Sequence, residues 1–160
     1  MAVSKTYEKG DMMTREQAAT KQVPALEGWF TWPPSEEPHL IGSRCKSCGD
    51  YFFPKVIACH NPNCMSTDVE KVLLSRRGKL YTYTINYYQP PPPYIPPDPF
   101  VPYADAVVEL EKERMKVQGQ VASGYDLETL KVGMEMELVL EPLYRDADGN
   151  DVMAWKFKPV

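Results

Sequence analysis

All four cysteines of the chain fall in the run CKSCGDYFFPKVIACHNPNC, residues 45–64. Their pattern is Cys45-x2-Cys48, ten residues, then Cys59-x4-Cys64. Each pair can sit on a tight turn that aims two sulfurs at one point. Gly49 follows the first pair, where a backbone bending around a metal needs a residue without Cβ. Asn61-Pro62-Asn63 is turn chemistry inside the second pair. Four thiolates around Zn²⁺ complete a tetrahedron with Zn–S near 2.3 Å. The expected ligands of a structural zinc are therefore Cys45, Cys48, Cys59 and Cys64. A redox Cys-x-x-Cys would not need the second pair. His60 is then a solvated knuckle residue, because a catalytic zinc would keep one position open for water.

With the thiols committed, little catalytic equipment remains. There are two histidines, His39 and His60, both near the cysteine run. Nucleophile elbows, dinucleotide fingerprints and phosphate-binding loops are absent from the sequence. The carboxylates look scattered over strand faces. A self-sufficient enzyme is not expected; a binding or accessory module is. Asp146 to Asp151, DADGND, fails the calcium-loop template and reads as a hairpin turn.

The elements that must position the cluster follow from pattern. Thr14 and Gln17 can form a capping box for a short helix through REQAATKQ, ended by Pro24. EGWFTWPPSEEP follows, with Trp29, Phe30 and Trp32 close together. These either fold back on the domain or dock on a partner. HLIGSR leads into the first knuckle as a strand, and YFFPKVIA can form two short strands bent at Pro54. VEKVLLS comes next, then a turn at Arg77-Gly78. KLYTYTINYY alternates, with Leu80, Thr82 and Thr84 set against Tyr81, Tyr83 and Ile85. Residues 89–103, QPPPPYIPPDPFVPY, hold eight prolines and must be a stiff extended loop. ADAVVELE and RMKVQGQVA form a hairpin about Lys112-Glu113. A short helix at DLETL is capped by Asp126 and closed by Gly133. EMELVLEPLY is a strand, and Asp148-Gly149 turns into the last strand, VMAWKFK. Three strands, a short helix and two strands fit the five-stranded OB barrel. The expected fold is mainly β: a helical and aromatic N-terminal arm (1–37), a rubredoxin-like zinc ribbon (38–68) and an OB-fold domain (69–160).

Composition narrows the function. The 160 residues are 43% hydrophobic, enough for a core, with a formal net charge of −4 and pI near 5.2. Zinc ribbons and OB barrels often bind nucleic acid, but such binding is dominated by cations, of which these strands carry few. No stretch approaches a membrane span, and the N-terminus has no apolar signal core. A reducing cytoplasm is the expected compartment. The run Arg76-Arg77-Gly78-Lys79 is either a solvated turn or a phosphate contact.

Several of these segments together resemble a known family. An aromatic N-terminal segment, CKSCGDYFFPKVIAC, GKLYTYTINY, a proline-rich loop ending VPYADAVVELE, and VASGYDLETLKVGMEMELVLEP follow one another over roughly residues 28–158. In that order they resemble the zinc-ribbon/OB proteins that accompany acyl-CoA enzymes, long grouped only as a domain of unknown function. The second knuckle departs from the commoner Cys-x2-Cys of that family. The resemblance implies a hetero-oligomer with a larger thiolase or thiolase-like subunit, which would carry the nucleophile and bind most of the CoA or acyl-CoA. It implies that this chain helps to build or bridge the CoA site. On that reading Arg76, Arg77 and Lys79 are candidate CoA phosphate contacts. Tyr94, Ile95, Phe100 and Tyr103 on the proline loop, with Trp29, Phe30 and Trp32, are candidate partner contacts.

Overall fold

The computed structural model describes residues 20–160. Its strands in chain order are β1 (Gln22–Pro24), β2 (Ile41–Cys45), β3 (Tyr51–Phe52), β4 (Val69–Leu73), β5 (Arg77–Asn86), β6 (Tyr103–Leu110), β7 (Met115–Val121), β8 (Glu135–Arg145) and β9 (Asp151–Pro159). A single 3-10 turn, Leu127–Thr129, is the only helical element among the described residues. Asp126 caps it by accepting from the Glu128 N–H.

Strands β5 to β9 close into a barrel. The sheet runs β9-β7-β6-β5-β8, and β8 pairs with β9 to complete the ring. The β7–β9 pairing is parallel and the others in the ring are antiparallel. This is the OB topology expected from the strand–helix order. The β6 residues Ala104, Ala106, Val108 and Leu110 all face inward and are buried. Leu80, Val117, Val121, Met136, Leu138 and Phe157 fill the rest of the barrel. Leu130, just after the 3-10 turn, also joins this core.

The alternation along β5 does not run through unbroken. The β5–β6 register shifts between Leu80 and Thr82. Leu80 points inward, but beyond the shift Tyr83 and Ile85 pack on the core while Thr82 and Thr84 are exposed. A bulge inserts one residue and so exchanges the two faces of a strand. Gly78 lies next to this crossing. A Cβ there would fall on the Glu109 backbone and within 2.8 Å of Val108 Cγ1.

The other sheet is the ribbon, ordered β3-β2-β4 and antiparallel. Strand β4 therefore belongs to the ribbon, although its sequence, VEKVL, looked like the start of the barrel. YFFPKVIA supplies the strand Tyr51–Phe52, and no second strand follows Pro54.

The N-terminal segment is built into the barrel rather than set apart as an arm. Strand β1 runs parallel to β9, with Gln22 opposite Asp151. The expected helix lies mostly outside the described residues; its last residue, Gln22, is in β1. Phe30 bridges to Leu40 and is 2% exposed. Trp155 of β9 stacks on Trp29 (centroids 5.9 Å, planes 18°) and meets Phe30 and Phe53 edge-on at 6.1 and 5.7 Å. Segment, ribbon and barrel thus share one aromatic core, in the offset and edge geometries that ring quadrupoles favour. Polar ties support it. Glu113, buried in the β6–β7 turn, accepts from both the N–H and the hydroxyl of Ser75, in the linker between ribbon and barrel.

Candidate functional site

The two knuckles bring the four cysteine sulfurs together, all within 4.8 Å of one another. Cys45 Sγ lies 3.8 Å from Cys64 Sγ, and Cys48 Sγ 3.6 Å from Cys59 Sγ. A tetrahedron with 2.3 Å metal–sulfur bonds has edges of about 3.8 Å. A disulfide would need about 2.05 Å. The spacing therefore suits four ligands of one ion.

The backbone makes this arrangement. Gly49 takes φ +83°, and its N–H donates to the Cys45 carbonyl at 2.9 Å. In the second knuckle the Asn61 side chain accepts from the Asn63 N–H at 2.9 Å, while its amide donates to Asp50 at 2.7 Å. That last bond ties the two knuckles together. The Asn61 N–H points at Cys59 Sγ, 3.4 Å away.

The thiol acidities show what the cluster lacks without a cation. The Cys48 N–H, aimed at Cys45, lowers the Cys45 thiol to about 6 against the effect of desolvation. The Asp50 N–H favours the Cys48 thiolate too, yet desolvation and the three other sulfurs push Cys48 up to about 12. Four crowded sulfurs cannot all ionise alone; a divalent cation deprotonates them together. Such a site has no open position for water, so its metal would be structural. Neither histidine joins it. His39 Nδ1 is 2.8 Å from the Leu74 carbonyl oxygen, and His60 is exposed beside Phe52.

The cations expected at CoA phosphates each have a carboxylate neighbour. Arg76 Nη1 lies 3.5 Å from Glu137 and 3.7 Å from Glu37, and its guanidinium also donates to the Pro38 and Glu36 carbonyls. Arg77 is 3.3 Å from the same Glu137. Lys79 reaches Glu111 at 2.9 Å, and that hydrogen bond raises its pKa. Glu137 also meets Lys158 at 3.2 Å. Arg77 and Lys79 nevertheless stay more than half exposed, and surface pairs of this kind are weak.

A second feature was not legible from the sequence. Between the proline loop, the end of β7 and the β8–β9 hairpin lies a groove of about 660 Å³. This is the face and loop pair with which OB barrels bind ligands. The loop folds back over it: Tyr94 stacks on Tyr103 at 5.5 Å and 17°, and Phe100 meets Tyr103 edge-on at 6.4 Å. Tyr94, Phe100 and Tyr103 are thus half-buried in the chain's own surface. Ile95 is 49% exposed and Val101 58%, and the exposed side chains of Tyr125 and Leu143 line the same groove. The partner contacts expected at 29, 30 and 32 divide similarly. Phe30 is inside the core, Trp29 packs on Trp155, and Trp32 is exposed. For Phe30 the expectation is corrected, because a side chain this deep has no surface to offer.

A four-thiolate ribbon fused through an aromatic core to a closed five-stranded barrel defines a zinc-ribbon/OB-fold protein. Residues 31–70 match the family described as ChsH2, rubredoxin-like zinc ribbon domain, and residues 71–141 the one described as ChsH2, C-terminal OB-fold domain. The chain belongs to this ChsH2-type family of joined ribbon and OB-fold domains. A DUF35 domain-containing scaffold protein of Methanocaldococcus jannaschii is 36% identical over 126 residues, 76% of this chain and 82% of the relative. The benzoylsuccinyl-CoA thiolase subunit BbsA of Geobacter metallireducens is 34% identical over 123 residues, 77% of this chain and 76% of that subunit. Among solved structures, the Ltp2-ChsH2(DUF35) aldolase superposes with a TM-score of 0.55 at 26% identity, covering 76% of this chain and 84% of that one.

Proposed function

We propose that this chain is a non-catalytic subunit of an acyl-CoA-processing complex, bound to a larger thiolase-like enzyme. The observation that carries the reading is the convergence of all four sulfurs on one point, which leaves no cysteine to accept an acyl group. The relatives supply the rest: one is a thiolase subunit by name, one a scaffold protein, and one is seen in an aldolase. The first candidate reaction is that of the BbsA relative, cleavage of benzoylsuccinyl-CoA to benzoyl-CoA and succinyl-CoA. The nucleophile and most of the CoA site then belong to the larger subunit, and Zn²⁺ on Cys45, Cys48, Cys59 and Cys64 holds the ribbon in shape. A reducing cytoplasm keeps these thiols available to the metal.

The docking surface in this reading is the proline loop at the rim of the groove. Prolines restrict the unbound loop, so little entropy is lost when it binds. Ile95 and Val101 are its exposed apolar side chains, and Trp32 is a further exposed aromatic. Once covered, the loop can help to wall a substrate cavity off from water. Nucleic-acid binding is disfavoured by the net charge of −4 and by the carboxylate partners of Arg145 and Lys156 on the barrel's ligand face. The test is affinity purification of the tagged chain from its native cells, with the associated proteins identified by mass. A thiolase-like protein in near-equimolar amount is expected. Recovery of the chain alone, or with nucleic acid, overturns the reading.

A further inference from the structure

The groove under the proline loop has features that docking on a partner does not require. Its volume of about 660 Å³ lies within the roughly 300–1,000 Å³ of small-molecule sites. One wall is a pair of parallel tyrosine rings, Tyr94 and Tyr103, braced by Phe100. Each ring covers one face of the other, and the edges and the remaining face of the pair can take a flat apolar ring edge-on or offset. Burial, then Asp105, raises the pKa of both phenols, so they stay neutral.

The floor is polar. Gln120 of β7 and Lys156 of β9 are cross-strand neighbours, and both line the groove. Lys156 is only 7% exposed. An ammonium has three N–H donors. Its one carboxylate partner is Glu141, at 3.3 Å. Across the groove, Arg145 is paired with Asp151 at 3.0 Å. Both cations are therefore neutralised already, yet the ammonium keeps donors to spare. A ligand carboxylate would meet no net positive charge. A neutral carbonyl oxygen could take an N–H without the cost of a further buried charge.

We propose that this groove is a small-molecule site in the chain itself, for a flat aryl group that carries a neutral carbonyl: a ketone, amide, ester or thioester. The ring packs against the groove side of the Tyr94–Tyr103 pair, and the carbonyl oxygen accepts from Lys156 Nζ. The proposal concerns this chain alone. A failed co-purification leaves it standing, and a failed ligand titration leaves the partner reading standing.

The experiment is an NMR titration of the zinc-loaded full chain with three probes: benzamide, benzoate and cyclohexanecarboxamide. Benzamide should bind saturably, shift resonances at Tyr94, Tyr103 and Lys156, and bind more tightly than either other probe. Lys156→Met should weaken benzamide about fivefold or more, the loss of one hydrogen bond to a charged donor. That variant leaves Glu141 with only the Ser123 N–H and can unsettle the fold, so the loop variant Tyr94→Leu serves as a second arm. There the preference for benzamide over cyclohexanecarboxamide should disappear. No saturable binding by the folded parent overturns the proposal. So does tighter binding of benzoate, equal binding of the saturated amide, or Tyr94→Leu that keeps the parent's preference.

Discussion

Replacing Phe30 by alanine tests how the N-terminal segment is used. The side chain is 2% exposed, bridges to Leu40 and meets Trp155 and Trp32 edge-on at 6.1 and 6.2 Å. Truncating a buried phenylalanine removes its transfer energy and leaves a cavity, together about 3–5 kcal/mol. For a domain of this size, 1 kcal/mol moves Tm by about 2–4 °C. Phe30→Ala should therefore lower Tm by roughly 6–20 °C, a large part of the about 5–15 kcal/mol that holds a domain together. Trp32→Ala, at an exposed ring a short step along the chain, should cost about 1 kcal/mol or less. Urea unfolding followed by tryptophan fluorescence, in excess zinc so that metal loss does not intrude, gives both values. A cost below about 1 kcal/mol for Phe30→Ala would refute the claim that this segment completes the core.

Four further outcomes follow from the same geometry. Cys48→Ser should abolish stoichiometric zinc and loosen the ribbon, read by metal analysis and limited proteolysis, and zinc in the parent should be released on acidification as the thiolates protonate. Gly78→Ala drives a methyl into the Glu109 backbone and should cost about 1–3 kcal/mol in urea unfolding, though the site is a strand surface in sequence terms. Desolvation works against the Glu137 carboxylate, but hydrogen bonds from Lys158 and Arg77 outweigh it and lower its pKa. Its contribution is thus present above the ordinary carboxylate range and lost as pH falls through the lowered value, so Glu137→Gln should destabilise at neutral pH and match the parent in acid. The pair Ile95→Ser and Val101→Ser should weaken binding to the partner while leaving zinc content and Tm unchanged, measured by co-purification and calorimetry; an unfolded barrel would place these residues in its own core.

The parts legible in the sequence were those with short-range causes. Cysteine spacing, Gly49 and the Asn61 turn fixed the knuckles locally, so four ligands could be named without coordinates. The strand–turn periodicity from Lys79 onward gave the barrel order, because each strand pairs largely with neighbours along the chain. What stayed hidden depends on distant contacts. Val69–Leu73 reads as a generic strand, and only its register against Ile41–Cys45 assigns it to the ribbon. The bulge after Leu80 reverses the inward face of β5, and no residue type announces it. The carboxylate neighbours of Arg76, Arg77 and Lys79, which are Glu137 and Glu111, lie far along the chain and have no sequence signal. The groove needs the proline loop, β7 and the β8–β9 hairpin at once, so Lys156, Tyr125, Leu143 and Val101 gave no sequence signal of sharing a site.

The central claim is that this chain assists acyl transfer without carrying the acyl group. The most direct measurement incubates the zinc-loaded chain with a reactive acyl-CoA, alone and with its co-purified partner, and follows CoA release together with intact mass. Alone, the chain should release no CoA above background and gain no mass; with the partner, turnover should appear, the adduct should fall on the partner, and omitting this chain should reduce the rate. A stable acyl adduct on this chain, or full turnover by the partner without it, would contradict the account.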